Sequence, residues 1–278
     1  MASDMNINAR NLPETLSQLE DQIRSDPANA KHRIFLFQLL AILERWDRAL
    51  NQLNVLQDLD SATGPMVATY REAIQNEALR NEIFAGNRSP VIFGEPEEWI
   101  AQLLESLRLV AEEKYAPAEA MRAKAFDLAP TTSGTIDGQP FEWIADADSR
   151  LGPVIEVLIN GRYTWVPFHR VSRIDIEAPE DLRDLVWLPG HFTWANGGEM
   201  VGLIPTRYPG AAATDDGDLM LARKTQWAEA SAETFLGQGQ RILTTDTGEY
   251  PIMDIRRIDL NSAATSGPAA SAQDSEDA

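Results

Sequence analysis

The period of the hydrophobic pattern changes once along this chain, and that change limits the fold more than any other feature. Up to about residue 130 apolar residues recur at helical spacing, as in Leu16, Leu19 and Ile23; after residue 137 they alternate, as in Ile174 and Ile176. The first period belongs to a helix with one buried face, the second to a strand with one buried face. Between them, residues 130–137 (PTTSGTID) are rich in turn formers and follow neither period. The pattern predicts helical hairpins over 12–132 and a small, mainly antiparallel β (α+β) domain over 133–260. A flexible N-terminus at 1–11 and a disordered acidic tail at 261–278 flank them, because the tail has no aromatic or branched apolar residue to offset chain entropy.

Within the first half, Pro13 opens a helix that Asp26-Pro27 ends, since the residue before a proline avoids the α region. A second helix runs from about Ala28 to Leu43, and Trp46 opens a third. The spacing resembles a tetratricopeptide repeat. With Pro27 closing one unit, Ala49 takes the small-residue position of the next, and Leu53 and Leu56 its core positions; Ala118, Ala125 and Pro130 repeat that spacing. A long helix from Pro65 to Ala85 ends at Gly86, and another follows Pro96. Stacked hairpins of this kind present a concave face, here Phe35, Leu39, Trp46 and Tyr70, that suits a peptide or helix better than a reaction.

In the second half Asn160-Gly161 sits between two apolar runs, 154–159 and 162–167, a strong hairpin signal because both turn residues tolerate positive φ. Further strands are expected at 171–177, 185–193, 200–205, 219–226, 240–245 and 250–258, with a short helix starting at Pro179-Glu180-Asp181. Four of the seven tryptophans (Trp143, Trp165, Trp187 and Trp194) fall between Gly138 and Tyr208, interleaved with Asp and Arg. That mixture points to a shaped surface or a polar network more than to a plain β core.

Charge narrows the partners. The net charge is −19 and the pI about 4.5. Both halves are acidic, so neither nucleic acid nor an anionic membrane fits. No cysteine is present, which excludes disulfides, a thiol nucleophile and thiolate metal sites. The N-terminal residues lack a cationic start before an apolar core, and the longest apolar run, 34–43, is too short to span a bilayer. A cytoplasmic location is expected.

Chemistry-bearing motifs are few. There is no P-loop, no GxSxG and no HExxH; Gly237-Gln238-Gly239 opens no βαβ unit. Glu142, Asp146, Asp148 and Arg150 form the one constellation that could serve an enzyme, a small ligand or a metal, because alternate carboxylates can converge on one cation. The same aspartates could instead cap turns and pair with Arg150 or Arg162. The residues expected to bind a partner are Trp143, Asp146, Asp148, Arg150, Trp194, Asn196, Arg207 and Tyr208, with no catalytic, cofactor or metal residue expected.

Several blocks in order carry a resemblance: HRIFLFQLLAILERWDRALNQL (32–53), FGEPEEW (93–99), FEWIADADSRLGP (141–153), NGRYTWVPF (160–168), IEAPEDLRDLVW (176–187), TWANGGE (193–199) and GLIPTRYPG (202–210). Together they span about residues 12–260, and the chain resembles the ImpE/TagJ family of type VI secretion accessory proteins. The resemblance implies a non-enzymatic adaptor without cofactor. Its partners would be the small subunit of the contractile sheath, through a helical segment, and the AAA+ ATPase that disassembles contracted sheath. It also implies a repeat-like helical half before a β-containing half. No catalytic residues come with it.

Overall fold

The structure, a computed structural model, describes residues 7–262. The tail expected at 261–278 lies outside these residues except for its first two positions, as do residues 1–6. Ile7 is buried, and its carbonyl accepts a 2.8 Å hydrogen bond from Arg223.

Six helices form the first half: α1 (Leu12–Ser25), α2 (Ala30–Ile42), α3 (Trp46–Leu59), α4 (Gly64–Phe84), α5 (Glu98–Ala111) and α6 (Tyr115–Leu128). Pro13 lies in the first turn of α1, and Asn29 caps α2 by accepting from the amides of Lys31 and His32. The pairs α2–α3 and α5–α6 share one connection. Glu44 and Glu113 both take left-handed φ (53° and 58°), and the following amides, Arg45 and Lys114, bond back to Leu40 and Leu109. This is the Schellman ending of a helix, made with Glu where Gly is usual. In each pair the second helix turns its small residue, Ala49 or Ala118, fully inward.

The second half is built on a nine-stranded sheet. Its strands are β1 (Val91–Ile92), β2 (Gly134–Ile136), β3 (Gln139–Phe141), β5 (Val154–Ile159), β6 (Arg162–Pro167), β7 (Val171–Ile176), β8 (Trp187–Trp194), β9 (Glu199–Pro205) and β14 (Arg257–Leu260). Their order is β1-β6-β5-β9-β8-β7-β14-β2-β3, antiparallel except where β1 lies parallel to β6. A three-stranded sheet places β12 (Ile242–Thr245) between β13 (Glu249–Pro251) and β4 (Ile144–Asp146). A separate hairpin joins β10 (Thr225–Ser231) to β11 (Thr234–Gly239). Asn160 and Gly161 hold φ of 49° and 71°, as the β5–β6 turn requires. Asn76 of α4 fastens that turn by donating to Gly161 O and accepting from Tyr163 N.

Three expectations are corrected. No strand runs over 219–226: Asp216 accepts from the Asp218 and Leu219 amides and starts the short helix α7 (Gly217–Met220), so the strand begins only at Thr225. The strand β1 inside the helical half was not expected, since two residues are too few to show a period. The third concerns the concave face of the hairpins. Tyr70 and Leu39 are buried, and Trp187 of β8 lies against both Trp46 and Tyr70, with ring centroids 5.7 Å and 5.9 Å away. The chain's own second half fills that groove, and one hydrophobic cluster runs through both halves. Burying Trp187 there removes more apolar surface from water than leaving the face for a transient peptide.

Candidate interaction cleft

β5 and β6 are covered on both faces, so almost every side chain they carry is buried. Glu156 of β5 nevertheless bears a carboxylate at 0% exposure. Arg80, reaching down from α4, donates to it twice, at 2.6 Å and 3.1 Å, and Arg241, just before β12, pairs with it from the other side. Tyr163 donates its hydroxyl to Glu156 and accepts from Trp165 Nε1 at 2.8 Å. The remaining groups are also satisfied: Arg80 reaches the carbonyl of Arg207 at 2.8 Å, and Glu77 accepts from Trp187 Nε1 at 2.8 Å. Arg241 pairs with Asp146 of β4 as well, whose Oδ1 accepts from Tyr208 at 3.0 Å and from the Asp148 amide at 2.9 Å. Asp148 is enclosed in turn by Arg150 Nε at 2.8 Å, by Arg150 Nη2 at 2.5 Å and by the Gly237 amide at 2.7 Å. One chain of buried charges thus ties α4, both sheets and the β10–β11 hairpin together.

Burial would raise Glu156, but Arg241 and Arg80 overcome it and hold the carboxyl at about 2. Asp146 goes the other way: burial, aided by Asp148, pushes it up to about 6 against the pull of Arg241. The sign follows. A carboxyl with a raised folded pKa disfavours its charged form, so folding gains stability as pH falls through about 6 towards the ordinary 3.8. Glu156 contributes stability above its ordinary 4.5 that is lost as pH falls towards 2. We expect denaturant midpoints to rise on mild acidification and then fall. In Asp146→Asn the rise attributable to this residue, roughly 1–3 kcal/mol, should vanish while the acid-side fall persists. An unchanged profile in the variant would show that Asp146 stays ionised throughout.

Beside this network, α6 and the β4 segment enclose a cleft of about 410 Å³, lined among others by Arg122, Phe126, Pro130, Trp143, Ile144 and Pro153. Phe126 rests on the backbone of Gly152, where a Cβ would meet its ring at 2.4 Å, so only glycine permits that approach. Trp143 is 40% and Phe126 44% exposed. Phe235, whose backbone bonds to Ser149 on the cleft wall, is also exposed. Three of the seven exposed large hydrophobics among the described residues therefore gather at or beside this opening. Exposed apolar side chains clustered in this way mark interaction surfaces. The outward side of α6, with Ala116, Ala120 and Ala123, is open as well.

The family model described as ImpE protein matches residues 138–259. The type VI secretion system accessory component TagJ of Pseudomonas aeruginosa is 49% identical over 260 residues, covering 94% of this chain and 91% of that protein. The chain belongs to the ImpE/TagJ family. A crystal structure of a Vibrio parahaemolyticus protein matches this ImpE/TagJ chain with a TM-score of 0.82 at 24% identity, over 91% of this chain and 95% of that one; it shows the shared fold. Among the described residues no helix is long and apolar enough to cross a membrane.

The eight residues singled out from the sequence divide sharply. Trp143 stands at the rim of the cleft, and Asp146 and Asp148 line its floor with their oxygens already engaged. Arg150 is spent on Asp148. Tyr208 and Arg207 are buried; Arg207 donates to Ile42 O at 2.7 Å and Met220 O at 2.6 Å, which satisfies the end of α2. Trp194 is buried in a stack with Phe93, at 4.2 Å, and Phe192. Asn196 is exposed in the β8–β9 turn, where its side chain accepts from the Gly198 amide. As a single partner-binding surface the set does not hold, because packing takes most of its members. The alternative enzyme or metal site fares no better: the Asp146 and Asp148 oxygens face arginines and amides, and Glu142 is exposed apart from them. No group of three His, Cys, Asp or Glu suited to a metal occurs among the described residues.

Sequence reasoning missed Glu156, Arg241, Arg80, Arg122 and Phe126. A signal for the first two was present: Glu156 is the sole charge in VIEVLI, and Arg241 precedes ILTT. A lone charge in a strand with no polar face has to find a partner, and opposite charges in two such strands suit each other.

Proposed function

We propose that this chain is a non-enzymatic adaptor within its accessory role in type VI secretion. It binds a helical segment of the sheath small subunit and connects it to the AAA+ ATPase that disassembles contracted sheath. One observation carries the reading. The concentrated apolar surface at the cleft between Phe126 and Trp143 is left uncovered in a molecule that satisfies nearly all its other buried groups. A short amphipathic helix could lay its apolar side into that cleft and along the alanines of α6. The family's resemblance supplies the identity of the partners, and the acidic charge of −19 suits a partner with basic flanks. The test is calorimetry of the full chain with purified sheath small subunit and with peptides covering its helices. Saturable binding at micromolar or better affinity is expected for the subunit and for one peptide. Absence of heat with the subunit and with the ATPase would end the adaptor reading.

A further inference from the structure

Arg122 projects from α6 at the cleft and is 9% exposed. Its Nη2 donates to the carbonyl of Glu233 in the β10–β11 turn, but Nη1 is buried without any hydrogen-bond acceptor among the described residues. Three carboxylates lie in the neighbourhood, and none bonds Nη1; that of Glu233 is exposed and acts on the guanidinium only at longer range. Glu119 accepts from the hydroxyls of Ser231 and Thr234, and Asp148 is held by Arg150 and the Gly237 amide. Loss of hydration makes the guanidinium pay for its charge, and burial pulls its pKa down. A buried charge left half-paired costs stability unless something completes it. In every other buried arginine of this region, Arg80, Arg150, Arg207 and Arg241, the donors are aimed at carboxylates or carbonyls. Arg122 alone of these keeps a donor that is shut off from solvent and has no acceptor, and it lines the apolar cleft.

We propose that the cleft selects an amphipathic helix carrying a carboxylate among its apolar anchors, with the carboxylate pairing to Arg122 Nη1 while Phe126 and Trp143 hold the apolar side chains. The proposal names the chemistry of the occupant and rests on the adaptor reading for its biological partner. Arg122 reaches the incoming acid by rotation of its own side chain, since Nη1 is shut off from solvent. In a protein of net charge −19, long-range electrostatics disfavour an acidic ligand, so a preference for one has to be local.

The test uses the full chain and two synthetic leucine-faced helical peptides that differ only in one central residue, Glu or Gln. Calorimetry is expected to show the Glu peptide binding about tenfold more tightly, a single charge-assisted hydrogen bond being worth at least about that much. The preference should shrink on adding salt, vanish in Arg122→Gln and survive in part in Arg122→Lys, with thermal unfolding confirming that both variants fold. Equal binding of the two peptides, preference for Gln, or saturation by neither overturns the proposal without recourse to any variant. Sheath-subunit binding that Arg122→Gln leaves unchanged would also overturn it while the adaptor reading stood. A Glu preference with no affinity for the sheath subunit would do the reverse.

Discussion

Arg241→Ala is expected to lower stability by about 3–5 kcal/mol, the cost of removing one partner from a buried ion pair. The guanidinium is fully buried, as are the carboxylates of Asp146 and Glu156 that it joins, and its Nε also donates to Pro205 O at 2.9 Å. Its loss leaves two carboxylates in one dry space with Arg80 as the remaining cation near Glu156. Against the 5–15 kcal/mol that separates a folded chain from its unfolded state, that is enough to deplete the native population. Chemical denaturation of purified protein would read it directly. The double variant Arg241→Met with Glu156→Gln should recover much of the loss, because it removes charges from both sides. A single-variant midpoint close to wild type would mean that water or a rearranged Arg80 compensates for the missing guanidinium.

Trp143→Ser with Phe126→Ser is expected to reduce affinity for the sheath small subunit at least about 30-fold while leaving the unfolding midpoint nearly unchanged. The affinity figure reflects the roughly 2 kcal/mol or more that aromatic anchors at the centre of an interface contribute. The small stability effect follows from exposure: at 40% and 44% these rings already face water, so truncation creates no cavity. Trp194 and Arg207 are poor probes of the same question. Both are buried, one in an aromatic stack and the other at the end of α2, so their substitution disturbs folding before any interface. Undiminished calorimetric binding by the folded Ser/Ser protein would move the interface away from the cleft.

Local features were read correctly where one short stretch carries its own reason. The α1 break at Asp26-Pro27, the Asn160-Gly161 turn and the capped 3₁₀ turn at Leu182–Leu185, where Asp181 and Asp184 cap each other, depend on neighbours within a few residues. The misplaced strand near 219–226 shows the limit of such reading: Asp216 capping a four-residue helix outweighed the apolar run that follows it. The candidate site was less legible. Tryptophans and aspartates between residues 138 and 208 pointed to a polar network, and a network is there, but its positive partners Arg80 and Arg241 lie 76 and 85 residues from Glu156.

What the sequence determined by itself was therefore the period of each segment, the place where the period changes, and the family, because these are written in neighbouring residues and in ordered blocks. Only the tertiary structure decided which aromatic residues face water. Trp187 and Trp143 are alike as residues in a glycine-rich and proline-rich half, yet one fills the groove of the helical hairpins and the other rims an open cleft. The physical reason is that burial is a property of the packed whole. A side chain is removed from water by elements that arrive from elsewhere in the chain, and no local pattern states which of them will arrive.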